Sequence, residues 1–210
     1  TANGADPQAV CLAQVIPNDE TLDLNGNAAE GGVVNFPFPR RLVVRGMDAS
    51  AEGITITITG TDEAGGPQIE TFRIITMNVD VVGRLEYQTV TEVRANIGGI
   101  GTVEVGTSGI VGSQWARLDT FSIGPTNIQI NSVGSANYTL QTTLDDPNSP
   151  RNPIDPDDVR WFPSSDTNVV NATGSKTTKF DVNPVFARIL INSGVGTVTA
   201  TIVQTGGSRF

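Results

Sequence analysis

The 210-residue sequence contains no histidine, one cysteine and two lysines, and only 6% of it is aromatic. Without histidine, Ser-His-Asp and Cys-His nucleophilic arrangements cannot be built. A Cys/His zinc site is excluded with them, and Cys11 alone cannot close an internal disulfide. Production in a reducing cytoplasm is compatible with such a chain. No apolar run reaches the length of about 18 residues that a membrane helix needs, so no membrane partner is expected. Residues 1–6 have no basic region ahead of a hydrophobic stretch, and no signal peptide is expected there. Basic charge is also scarce: 13 Lys and Arg stand against 22 Asp and Glu, giving a net charge of −9. Apart from Arg40-Arg41 the basic residues are scattered. An acidic surface without a basic patch gives nucleic acid no foothold, and none is expected as a partner.

What is present points to strands. Hydrophobic residues make up 38% and charged residues 17%, enough to bury a core, and 23 Gly with 12 Pro suit many tight turns. Residues 54–59 alternate Ile and Thr with period two, so one face meets a core and the other solvent. Residues 41–45 precede them across a turn at 46–53, and residues 69–75 follow across a turn at 60–67. The same unit recurs: 90–97 and 102–105 around Gly98-Gly99, 128–131 and 138–142 around Gly134-Ser135, 188–192 and 197–203 around Ser193-Gly194. Each copy reads as a β-hairpin whose turn supplies positive φ. No stretch of helical length keeps a 3.6-residue apolar period without Gly, Pro or β-branched runs. One turn at 157–162 is the exception, capped by Asp155 with Pro156 at its first position.

The expected fold is therefore all-β: two tandem antiparallel β-sandwich domains of jelly-roll type, at 36–112 and 113–210. The glycine-rich segment 106–112 joins them. A single continuous sandwich is the competing reading. Residues 1–35 are polar and turn-rich apart from Val10, Leu12 and Ile16. They read as an N-terminal arm, either loosely held or extended to add a strand to a neighbouring subunit. On the arm reading, deleting residues 1–30 leaves a folded body that no longer assembles.

Chemistry is sparse. A Ser-Lys pair would need Lys176 or Lys179, which lie among polar turn residues. Gly98-Gly99-Ile100-Gly101 runs into a strand and not a helix N-terminus, so it is a turn and not a phosphate cradle. Residues 145–158 hold Asp145, Asp146, Asp155, Asp157 and Asp158, oxygen donors of the kind Ca²⁺ takes, but their spacing fits no EF-hand. A proline-stiffened acidic surface loop is the simpler reading, and no metal or cofactor is expected. The triplets beginning at Asn137 and Asn171 match the glycosylation pattern, as chance allows in a Thr/Asn-rich chain. Trp115, Trp161, Phe162 and Phe210, with Arg117 and Arg160 beside the tryptophans, are packing residues or anchors of a subunit interface. No catalytic residue is singled out, and an enzyme is not expected.

Two ordered strings of residues carry a resemblance. The first runs from Pro39-Arg40-Arg41-Leu42-Val43-Val44 through the Ile/Thr strand, Gly65-Gly66-Pro67 and Ile69-Glu70-Thr71. It continues through Thr89-Val90-Thr91-Glu92-Val93 to Gly101-Thr102-Val103-Glu104-Val105. The second comprises Asn137-Tyr138-Thr139-Leu140-Gln141, Asp145-Asp146-Pro147, Trp161-Phe162, Phe186-Ala187-Arg188-Ile189 and Gly196-Thr197-Val198-Thr199. Over about residues 36–205 the chain resembles β-modules of tailed-bacteriophage structural proteins. The resemblance implies a virion component made in many copies in the bacterial host cytoplasm. The expected role is a head decoration (cement) protein that binds the major capsid protein and stabilises the shell. A neck, collar or tail component is the alternative, and a carbohydrate- or receptor-binding module a further one. Its expected partners are other copies of itself, for which a trimer suits a capsid, together with capsid or neck–tail proteins.

Overall fold

β-Branched residues and alternating burial make this chain a succession of strands, seen in a computed structural model that describes residues 4–122, 124–154 and 158–204. By internal contact the described residues divide into two units, 4–111 and 112–204. Both consist of antiparallel strands, as the composition requires.

The first unit holds β1 (Asp6–Val15), β2 (Ala29–Glu30), β3 (Val33–Gly46), β4 (Thr55–Thr61), β5 (Pro67–Arg73), β6 (Val81–Ala95) and β7 (Thr102–Gly112). Its sheet runs β7-β3-β6-β4-β5, with β1 added on β7 and β2 on β3. Ile56 and Ile58 of β4 are fully buried, as the period-two pattern requires. They join Val10, Ile16, Leu42, Val44, Tyr87, Val93 and Val105 in one core.

The N-terminal segment is part of that core. This corrects the reading of residues 1–35 as an arm for a neighbour. β1 pairs with β7 of its own chain, and Val10, Cys11 and Ile16 are fully buried. Leu22 N–H donates to Val93 O at 2.9 Å, and Gly26 N–H to Val10 O at 2.9 Å, so residues 20–28 close the sheet from β6 back to β1. Gly106 shows why β1 fits: a Cβ there would lie 2.1 Å from Asp6 O and 2.2 Å from Pro7 C. The glycine-rich segment 106–112 is accordingly strand, within β7, and not a linker.

The second unit holds β8 (Ala116–Arg117), β9 (Thr126–Gly134), β10 (Asn137–Thr143), β11 (Phe162–Pro163), β12 (Ala172–Thr173), β13 (Lys176–Phe180), β14 (Phe186–Ser193) and β15 (Gly196–Gln204). β11, β10 and β14 are consecutive in one sheet, with β12 on β10 and β8 on β14, while β13-β9-β15 form a second.

The turns at 46–53, 98–99, 134–135 and 193–194 make no hairpin. β3 pairs with β6 and β7, not with β4, and it also separates β6 from β7. β9 pairs with β15, and β10 with β14. Their register runs unbroken from Thr126↔Gln204 to Gly134↔Gly196, through Ser135 N–H to Val195 O at 2.8 Å, and on to Asn137↔Ser193. Residues 126–143 and 186–204 are thus one two-stranded ribbon bent at a corner, each half in a different sheet. Gly134 (φ 98°) and Gly194 (φ 89°) make the bend, and a Cβ on Gly194 would lie 2.3 Å from Ser135 O. The one hairpin the alternation identified is β4 with β5, paired from Thr55↔Arg73 to Thr61↔Pro67.

Two single turns of 3₁₀ helix, Ala49–Ala51 and Thr167–Val169, are capped by Asp48 and Asp166. Of the turn expected at 157–162, Asp155, Pro156 and Asp157 lie outside the described residues, and Phe162 belongs to β11.

Candidate functional site

Two carboxylates of the acidic loop after β10, Asp145 and Asp146, are held by arginine residues. Asp146 accepts a forked pair of hydrogen bonds from Arg117, 3.0 Å from Nη1 and 2.9 Å from Nη2. Bonding to Arg117 holds its carboxyl below the usual range. Asp145 accepts from the Arg160 backbone N–H at 2.8 Å. Among the described residues no group of three or more acidic, Cys or His side chains could hold a metal ion; Asp155 and Asp157 lie outside them.

Beside this loop the aromatic residues form a stacked series. The Arg117 guanidinium lies 5.3 Å from the Phe186 ring, Phe186 meets Trp115 edge-on at 6.0 Å, and Trp115 meets Trp161 at 5.1 Å. Arg188 covers the Trp161 face at 4.2 Å, and its Nε donates to Gln141 Oε1 at 2.9 Å. Quadrupole and cation–π attraction account for this order. A ring face already capped by a guanidinium is a poor platform for a sugar. Phe162 is 60% exposed, and Phe210 lies outside the described residues.

The glycosylation-like triplets are tied down internally. Asn137 Nδ2 donates to Asn171 O at 2.8 Å, and Asn192 Nδ2 donates to Asn137 Oδ1 at 2.8 Å and Asn171 Oδ1 at 3.1 Å. Gly98-Gly99-Ile100-Gly101 is a linkage packed on residues 16–18, with Ile16 N–H on Gly101 O at 2.9 Å and Gly99 N–H on Ile16 O at 3.0 Å. Lys176 and Lys179 both lie on β13, and Lys179 pairs with Asp181 at 2.9 Å.

Two surfaces passed unnoticed in the sequence. One is the end of the first unit where the links β3–β4, β5–β6 and β6–β7 meet. Asn78 N–H donates to Gly46 O at 2.7 Å, Met47 N–H to Thr102 O at 2.8 Å, and Asn96 N–H to Thr55 O at 3.0 Å. Asp48 ties the same end together by accepting from Ser50 Oγ at 2.6 Å and Thr102 N–H at 2.9 Å. These bonds, that to Ser50 foremost, lower its pKa to about 2. Outward from this framework project Ile75 (76% exposed), Val15, Met77, Val79, Ile97 and Ile100. Single apolar residues on a surface are ordinary; several on converging loop tips mark a contact surface. The strand expected at 69–75 stops short of Met77 and Val79, because no strand pattern surrounds them to say which way they face.

The other surface is the sheet β13-β9-β15. Its outward side chains, among them Asn127, Gln129, Thr177, Lys179, Thr201 and Val203, line a groove of about 520 Å³. Comparison with family models, curated proteins and solved structures finds no match for the chain.

Proposed function

We propose that this chain is a non-enzymatic structural component of a tailed-phage virion, a decoration (cement) protein that binds the head shell and stabilises it. The observation that carries the reading is the apolar end of the first unit. There a hydrogen-bonded framework presents Ile75, Met77, Val79, Ile97 and Ile100 to solvent. Loops whose backbone is already hydrogen-bonded in place lose less entropy on contact, so such an end suits docking against a preformed shell. The resemblance of residues 36–205 to phage β-modules supports the same role. A protein that binds only the assembled shell stabilises it by mass action, and many weak contacts add up over its surface.

The test is binding to purified shells that lack the protein. Wild-type chain is expected to bind in many copies spread over the shell and to raise its melting temperature. Ile75→Asp with Met77→Asp is expected to fold normally and fail to bind. Equal binding by both proteins would exclude this end as the docking surface. A few copies confined to one vertex would instead assign the chain to the neck, collar or tail.

A further inference from the structure

The two outer strands of the sheet β13-β9-β15 differ in charge. β13 carries Lys176 and Lys179, the only lysines in the chain. Lysine on an outer strand is a common guard against pairing with another chain, because extending the sheet would confine its charge. β15 reads Gly-Thr-Val-Thr-Ala-Thr-Ile-Val-Gln and has no ionisable side chain. Among the described residues its outer edge has no strand partner. Its core-facing stripe is also under-covered. Ala200 and Ile202 lie opposite Ile130 and Ile128 of β9, which are buried, yet Ala200 is exposed and Val198 and Ile202 only half-buried.

We infer that β15 is a homodimerisation edge, pairing antiparallel with β15 of a second copy about a two-fold axis at Ala200. That register sets Val198 opposite the second copy's Ile202, and Thr199 opposite its Thr201. Aliphatic meets aliphatic on the core side and hydroxyl meets hydroxyl on the other, both favourable cross-strand pairs. A chain of net charge −9 thereby gains a seam at which no like charges face each other. The joined sheet has a lysine-bearing β13 at each end, so pairing closes at two copies. Pairing through β13 would instead bring two lysine-bearing edges together, with a lysine on each face of the strand. The dimer goes beyond the shell-binding role, since it forms in free solution.

The experiment is light scattering on the full chain over a range of concentrations, with two variants. Wild type is expected to be a dimer. Thr199→Lys with Thr201→Lys sets lysines opposite one another and is expected to raise the dimer dissociation constant at least about tenfold, with an unchanged circular dichroism spectrum. Ala200→Cys is expected to give a disulfide-linked dimer on mild oxidation, because residues facing each other across an antiparallel pair lie within disulfide reach. This second variant decides the matter if the lysine variant fails to fold. A wild-type monomer or trimer overturns the inference, as does a lysine variant that dimerises as tightly, or an Ala200→Cys protein that stays uncrosslinked. A monomer that still binds shells removes the dimer alone, and a dimer that ignores shells removes the decoration role alone.

Discussion

Burial pushes the Cys11 thiol up to about 12, with the nearby Asp23 carboxylate adding to the effect. The side chain lies on β1 and is fully buried, so the nucleophilic thiolate is both rare and out of reach. Native protein at neutral pH is expected to leave a thiol-reactive chromophore unchanged, and protein in guanidinium to react with one equivalent. Fast reaction of the native protein would mean that β1 opens readily. The same scale explains why the carboxylates at 145–158 drew notice and Asp48 did not. An acidic cluster is visible as a run of letters. One of the partners of Asp48, the Thr102 N–H, is 54 positions away, and only the fold brings the two together.

The first strand is the element whose role changed most between pattern and structure. Val10, Ile16 and Leu22 are each at most 3% exposed. Burying three such side chains is worth roughly 5–9 kcal/mol as an upper bound. A typical domain is stable by about 5–15 kcal/mol in total. Removal of residues 1–30 is therefore expected to abolish cooperative unfolding of the first unit, as followed by calorimetry, and not merely to block assembly. A truncated protein with an unchanged melting temperature would restore the arm reading. Individual strands were legible because Ile and Thr alternate at 54–59 and Val, Ile and Leu recur near 102–105 and 188–192. Their partners were not, because a glycine at positive φ serves a hairpin reversal and a corner equally well. Short strands such as β8, β11 and β12, two residues each, carry no period at all. The two lysines were noticed for what they lacked, a nucleophile, before β13 gave them an edge to guard.

For the whole molecule, charge and association separate. Acidic residues dominate the sequence, with a pI near 4.4, yet the seam inferred on β15 contains none. Self-association is therefore expected to hold between low and high salt, since screening acts on facing charges. Loss of the dimer in high salt would point to a charged interface elsewhere on the surface. The bent ribbon of the second unit bears on how that unit is reached from the unfolded chain. A hairpin starts at its turn and zips outward, each step confining only a few residues. The ribbon has no such turn: its nearest partners along the chain, Thr143 and Phe186, are separated by the whole segment 144–185. That segment, whose β11, β12 and β13 pair with β10 and β9, must be drawn in before the first rung can form, and its closure entropy precedes the rungs. Once it is closed, the remaining rungs follow through the corner without a second large loop. The second unit should accordingly refold slowly for its size, with a barrier set by the length of residues 144–185 and not by the glycines of the corner.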